Sequence, residues 1–380
     1  MNRRILTALV LGVLVTGGIA RTSHAQIGQA AVVFLQIEPD SRGAGMGNTG
    51  VALSDNAYSI FWNPAGLAQQ SGTELSLTHS NWLPEFNAGL FYEYLVAKHR
   101  VEGIGTFGAH LTYLFLGEHE CRDEQNTECG TFRSYDLALG ASYGTNVTRN
   151  LALGTGARLI YSNLAPGQTV GAQETRAGVA VGFDAAALYK VPRFHMGGVE
   201  VGINLGANLS NMGPKIQYSD QGQADPIPTN LRFGYAATFE FDEYNKITLL
   251  TDLNKVLVHK SDSTTADPFY RALFSSWASM EACTEAVSTC DDDPSKLTSL
   301  NAFEQMTLGA GLEYWYRNLF ALRAGYFYEH PENGNRKFLT FGSGIRWNII
   351  GVDFSYIYAL EENHPLANTM RFSLLLNFLK

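Results

Sequence analysis

The sequence predicts an all-β fold: a 14-stranded antiparallel transmembrane β-barrel with an N-terminal luminal hatch segment. Three observations lead there. Strand-length segments of alternating hydrophobicity fill the chain from about residue 74 to its end. The second face of those segments carries small polar residues rather than charges. The chain also begins with an export signal, which sets the compartment.

Residues 1–25 carry that signal. Arg3 and Arg4 precede an apolar stretch over residues 5–20, and Ser23-His24-Ala25 offers small residues where a signal peptidase reads, so cleavage is expected before Gln26. A membrane-anchoring helix is the rival reading. Gly12, Thr16, Gly17 and Gly18 interrupt the run and a cleavage site follows at once, which favours the signal. Beyond it nothing approaches the ~18 consecutive apolar residues of a membrane-spanning helix, but β-barrels hide their membrane signal in alternation.

Residues 26–73 do not alternate. They hold the glycine-rich run Pro39-Asp40-Ser41-Arg42-Gly43-Ala44-Gly45-Met46-Gly47 and then Trp62-Asn63-Pro64-Ala65-Gly66-Leu67. Glycine turns with short apolar patches suggest a compact coil with a short helix or two. Ahead of a wide barrel such a segment has one convenient home, the lumen, because fourteen strands leave space that eight would fill with side chains.

Residues 74–380 form the expected barrel and its loops. In residues 231–241, Leu231, Phe233, Tyr235, Ala237, Phe239 and Phe241 share one face, whereas Arg232, Gly234, Ala236, Thr238 and Glu240 share the other. Period two means a strand. The pattern recurs in Phe320, Leu322, Ala324, Tyr326 and Tyr328, and in Phe372, Leu374, Leu376 and Phe378. Gly202, Asn204, Gly206 and Asn208 show the opposite face, suited to a wet lumen. Aromatic residues gather near segment ends, as in Trp315, Tyr316, Trp347, Tyr356 and Tyr358, where an interfacial girdle would lie. Charged residues make up only 17% of the chain against about 25% in soluble domains, and mean hydropathy is near neutral at -0.08.

Fourteen such segments follow one another, near residues 74–82, 86–98, 103–116, 131–145, 150–163, 176–190, 198–210, 229–241, 245–257, 303–316, 319–329, 336–347, 350–359 and 369–379. Connections after even-numbered segments are mostly short, and those after odd-numbered ones mostly longer, notably 117–130, 164–175, 211–228 and 258–302. That asymmetry orients a barrel, with short turns in the periplasm and long loops outside. A short outer loop at residues 83–85 and a longish turn at 191–197 are the two exceptions.

A net charge of -9 argues against a nucleic-acid partner. Cys121 and Cys129, and Cys283 and Cys290, form two close pairs, both in outer connections. In an oxidising compartment they read as two local disulfides, and spacings of eight and seven match no standard zinc pattern. Gly45-Met46-Gly47-Asn48-Thr49-Gly50 and Gly103-Ile104-Gly105-Thr106-Phe107-Gly108 fit GxGxxG. Neither has the strand before and helix after that a dinucleotide site needs. Gly140-Ala141-Ser142-Tyr143-Gly144 fits the nucleophile-elbow pattern, but Leu137, Leu139, Ala141 and Tyr143 alternate around it as a lipid face, so Ser142 reads as a lumen residue. The histidines include no HExxH; Glu118-His119-Glu120 reads as a solvated acidic loop or a cation site. Asn146-Val147-Thr148, a glycosylation pattern, falls in an expected periplasmic turn, and Asp291-Asp292-Asp293 adds solubility or a docking surface for basic cargo or calcium. In loop 258–302, Phe269, Tyr270, Arg271, Phe274 and Trp277 are candidate partner contacts, or else a barrel-capping or lipid-embedded helix. No catalytic residue, cofactor or metal is expected.

The hatch residues carry a family resemblance. Asn63-Pro64-Ala65, in the context of Asp55-Asn56-Ala57 through Leu67, resembles the hatch motif of the FadL outer-membrane transporter superfamily. Phe34-Leu35-Gln36-Ile37 through Gly47 is similar to its PorV/PorQ branch, and the full-length layout favours PorV. The resemblance implies a type IX secretion role: binding exported cargo at the translocon by its C-terminal signal domain and shuttling it to the cell-surface attachment and sortase complex. A lipid-deacylase activity has been proposed within that family, which would fall to Ser142. Outer-membrane lipid is the other expected partner, and a FadL-like importer of hydrophobic small molecules is the alternative function.

Overall fold

A computed structural model describes residues 30–122, 128–167, 169–170, 173–219, 224–260, 266–283, 297–361 and 364–378. Fourteen strands form a closed antiparallel barrel, each paired with its sequence neighbours and the last with the first. They are β1 (Thr73–Asn81), β2 (Phe91–Val101), β3 (Gly105–Arg122), β4 (Glu128–Asn146), β5 (Leu151–Asn163), β6 (Gly178–Met196) and β7 (Val199–Met212), followed by β8 (Asn230–Glu240), β9 (Asn245–Val256), β10 (Met306–Tyr316), β11 (Phe320–Glu329), β12 (Lys337–Trp347), β13 (Ile350–Ala359) and β14 (Met370–Asn377). Closure leaves no strand edge unpaired, as a lipid-immersed sheet requires.

Alternation along each strand sorts side chains between lipid and lumen. Phe233 and Tyr235 are exposed while Arg232 and Ala236 are buried; Phe372 and Leu374 face out while Arg371 and Ser373 face in. Outward rings form a belt across four strands, with centroids 6.0 Å apart for Phe91 and Tyr113, 5.8 Å for Tyr113 and Tyr135, and 6.1 Å for Tyr135 and Tyr161. Trp347, Tyr316 and Tyr358 are exposed as a girdle requires. Trp315 is not part of it. It faces inward, buried, with the guanidinium carbons of Arg323 and Arg346 at 5.6 and 5.3 Å from its ring.

Three connections differ from expectation. The first outer loop is not short: β2 begins at Phe91, and a 3-10 turn over Pro84–Phe86 occupies the span. Residues 117–130 are largely strand, because β3 and β4 run on as a paired hairpin beyond the lipid belt, Glu118 opposite Arg133 and Cys121 opposite Gly130. The turn at 191–197 shrinks to Gly197-Gly198, since β6 continues to Met196; both glycines have positive φ, 59° and 88°, as a tight two-residue hairpin requires. With these changes every connection after an odd-numbered strand is longer than the turns after even-numbered ones, so the barrel has a clear long-loop end and short-turn end.

Candidate functional site

Residues 30–72 lie inside the barrel. Two one-turn helices, α1 (Ser41–Ala44) and α2 (Ser59–Trp62), and 3-10 turns over Val33–Gln36 and Pro64–Gln69 give the segment its shape. Asp40 caps α1, accepting from the Gly43 amide at 2.9 Å, and accepts from Trp62 Nε1 at 2.7 Å, so one carboxylate joins the two helices. Burial pushes the Asp40 carboxyl up from its ordinary value against the pull of those two hydrogen bonds.

The glycine-rich run docks backbone on backbone. Gly47, at φ 71°, sits so close to the wall that a Cβ would lie 2.5 Å from the Ala310 carbonyl oxygen. Opposite it, a Cβ on Gly325 would lie 2.0 Å from the Gly47 nitrogen. The amides of Gly50 and Val51 both donate to Asp252 Oδ2 of β9, at 2.7 and 3.0 Å. The first GxGxxG match thus gives the amide of its last glycine to a carboxylate of the protein's own wall, and that of Gly47 to Thr340 Oγ1 at 2.8 Å. The second covers the turn between β2 and β3 and the start of β3.

Asn63-Pro64-Ala65 works in the same way. Asn63 Oδ1 accepts from the Ala65 amide at 3.1 Å, while its Nδ2 donates to the Val51 carbonyl at 2.9 Å and to the wall carbonyl of Ala187 at 3.0 Å. Pro64 opens the turn, where a missing N–H costs nothing. Ala65 is buried against Gly154 of β5, where any Cβ would stand 2.2 Å from the Ala65 nitrogen.

An alternating chain of charges ties the segment to four consecutive strands. Arg42 donates to Asp55 at 2.5 Å and, through Nε and Nη2, to both oxygens of Glu313 on β10 at 2.7 Å. Arg323 of β11 donates to Glu313 at 2.8 Å and to Asp353 of β13 at 2.8 Å. Arg346 of β12 completes the chain on Asp353 at 2.6 Å. Burial would lower the Arg42 pKa, but Asp55 and Glu313 hold it well above its usual value. The two-pronged contact is the geometry in which Arg–carboxylate pairs are strongest.

The segment divides the lumen into unlike chambers. At the long-loop end a cavity of about 670 Å³ is mainly apolar, floored by Phe34 and Ile37 and walled by Trp82, Leu114, Phe338 and Leu366. At the short-turn end a polar vestibule of about 450 Å³ is lined by Arg42, Asp55, Glu74, Lys98, Lys246 and Arg346.

The remaining sequence candidates are scattered. Ser142 lies in the flat interior of β4, opposite Gly108 and Gly156, and neither its Oγ nor His110 Nδ1 has a hydrogen-bond partner among the described residues. Glu118 sits on the extended hairpin and accepts from Arg133 at 3.3 Å rather than from solvent alone. Among the described residues no group of three or more His, Cys, Asp or Glu could hold a metal ion. Cys121 is disulfide-bonded; the side chains of Cys129 and Cys283 lie outside the described residues, as do Cys290 and Asp291 to Asp293 altogether. Asn146-Val147-Thr148 falls at the β4–β5 turn of the short-turn end.

The loop candidates do form a helix, α3 (Phe269–Ser275), at the long-loop end. Ala272 packs inward, while Tyr270 and Phe274, one turn apart, are exposed. Asp267 anchors it by accepting from Ser275 Oγ at 2.6 Å and pairing with Arg271 at 3.7 Å. Trp277 is partly covered by Lys255, 5.6 Å from its ring. Phe303, also strongly exposed, was not among the sequence candidates; its place just before β10 made it read as wall.

The fold is similar to that of the P. putida toluene transporter TodX, at 12% identity and a TM-score of 0.50, over 90% of this chain and 99% of that one. The Ralstonia pickettii toluene transporter TbuX (12%, 0.45, 90% and 99%) and a Pseudomonas aeruginosa FadL homologue (12%, 0.43, 90% and 98%) are matched less well. At such identities the likeness is one of fold alone. No curated protein matches the chain. The family described as Type IX secretion system protein PorV matches residues 20–263, more than half of the sequence, and this outer-membrane β-barrel belongs to the PorV family.

Proposed function

We propose that the protein binds exported cargo at the type IX translocon and carries it, by its C-terminal signal domain, to the attachment and sortase complex at the cell surface. Family membership supports the pathway. The observation that carries the mechanism is the filled lumen: a plug latched through buried ion pairs supports binding at the long-loop end rather than conduction. The barrel then does no chemistry of its own. Helix α3, with Tyr270, Phe274 and Trp277 beside Arg271, and the hairpin of β3 and β4 supply protein contacts, since exposed aromatics with arginine make interface anchors. Local disulfides, Cys121 with Cys129 and Cys283 with Cys290, stiffen those loops, outer-membrane lipid covers the outward face, and the first 25 residues are removed on export.

Deleting the gene should abolish surface attachment of cargo, and affinity purification of the intact barrel in mild detergent should recover the translocon or a sortase. Normal cargo attachment in the deletion strain would refute the proposal. The apolar cavity favours a second reading, import of hydrophobic small molecules. A charged latch and a polar vestibule beneath it stand against an apolar path. Lost growth on hydrophobic substrates with normal secretion would select that reading.

A further inference from the structure

The cavity at the long-loop end contains more than apolar surface. Arg371 of β14 lines it, wholly buried, with its Nη2 3.8 Å from Glu38 and its guanidinium 5.9 Å from the Trp82 ring. Its Nε and Nη1 have no hydrogen-bond acceptor among the described residues. Two buried acceptors line the same cavity without donors, Asn48 Oδ1 and Asp136 Oδ1. A buried polar group left without a partner costs about 1–3 kcal/mol, more when charged. Four such atoms around one chamber mark a place built for a ligand that brings both an anion and N–H donors.

We propose that this cavity binds the free C-terminus of a peptide ending in apolar residues. The α-carboxylate lies on Arg371, backbone N–H groups donate to Asn48 and Asp136, and side chains fill the pocket among Phe34, Leu114, Phe338 and Ile357. A volume of about 670 Å³ falls in the range of ligand sites, ~300–1,000 Å³. A fatty carboxylate satisfies Arg371 equally well, but it sets methylenes against both acceptors and leaves them unpaired. Peptide chemistry uses all four atoms. The walls come from strands and from five of the outer connections, including Leu83, Leu164, Tyr218, Gly334 and Leu366, so the site lies at the end from which cargo arrives.

This inference rests on the cargo-binding reading and deepens it, since it names the part of the cargo that is held. The test is calorimetric titration of the purified full-length barrel with three probes: a short apolar peptide with a free C-terminus, the same peptide as its amide, and dodecanoate. The free acid should bind about tenfold or more tightly than the amide, the weight of hydrogen bonds to a charged group. Arg371→Gln should remove that difference. Asn48→Gly, which keeps the left-handed backbone (φ 60°) and deletes the acceptor, should weaken the peptide but not dodecanoate; it carries the test should the arginine variant misfold. Equal binding of acid and amide, no peptide binding, or dodecanoate displacing the peptide at lower concentration would each overturn the inference. Surface attachment of cargo in the deletion strain is read separately: its dependence on the barrel leaves the broader reading standing when the peptide fails.

Discussion

Arg42→Met tests whether the plug is held by its charge chain. The variant deletes both hydrogen bonds to Glu313, at 2.7 Å each, and the contact to Asp55, while keeping much of the side-chain length. Glu313 is fully buried, so it cannot turn to water. Removing one partner of a buried pair costs about 3–5 kcal/mol. Arg323 still donates to Glu313 at 2.8 Å, which sets the expectation at the lower end, about 3 kcal/mol. That corresponds to about a hundredfold rise in the open population of the segment.

Hydrogen exchange in detergent reads this directly. Amides of residues 41–51, including those of Gly50 and Val51 on Asp252, should exchange about a hundredfold faster while the wall strands do not change. Asp55→Asn is the control. Asp55 is half exposed, and an exposed pair contributes only about 0–1 kcal/mol, so exchange should shift by less than about tenfold. Unchanged exchange in Arg42→Met would refute the latch and leave the backbone seats as the sole restraint.

Gly325→Ala should impair assembly, because the new Cβ meets the Gly47 nitrogen at 2.0 Å, whereas Gly182→Ala, also inward-facing but with its nearest atom at 3.4 Å, should assemble normally; heat-dependent gel mobility of the folded barrel compares the two. Asn63→Ala loses a helix cap and two hydrogen bonds to carbonyls, so the plug should loosen by about 1–2 kcal/mol or more, seen as faster proteolysis after Gln70 with the barrel intact. Ser142→Ala should leave lipid acylation unchanged; altered lipid in that strain would mean that the barrel has chemistry after all.

Period-two alternation made the wall legible because it reports one condition, lipid on one side and a polar lumen on the other. Where that condition ends the signal ends. The hairpin extension of β3 and β4 lacks that contrast between its faces, so Glu118 and Glu120 read as loop although they pair with Arg133 and Thr131. Leu83 and Asn87, both with positive φ around Pro84–Phe86, bend a stretch whose apolar residues look like the start of β2. Trp315 was misplaced by composition: its spacing of two from Glu313 puts it on the lumen face, and parity outweighs the habit of tryptophan at interfaces. The Arg42–Glu313 contact joins residues 271 positions apart, and no local pattern encodes it.

The inward glycines read from sequence as the mark of a wet lumen, and the structure gives them another cause. Gly154, Gly206, Gly309, Gly311 and Gly325 are each positions where a Cβ would strike the plug's backbone within 2.0–2.5 Å. A wall of side chains would have kept the plug at arm's length, with its amides and carbonyls facing gaps. Glycine instead allows direct contact, and the polar atoms of the plug then meet Asp252, Thr340, Asn204 and Asn208. The same arrangement fixes where recognition can occur. A plug docked this closely shuts the short-turn end with charge and polar contacts, while its leading stretch, Phe34 to Ile37, becomes the floor of the apolar cavity at the long-loop end. Binding at that floor is reached from the long-loop side, where α3 and the β3–β4 hairpin also stand. A channel would need the glycine seats to release, and freeing Gly50 and Val51 would strip the buried Asp252 carboxylate of both amides at once.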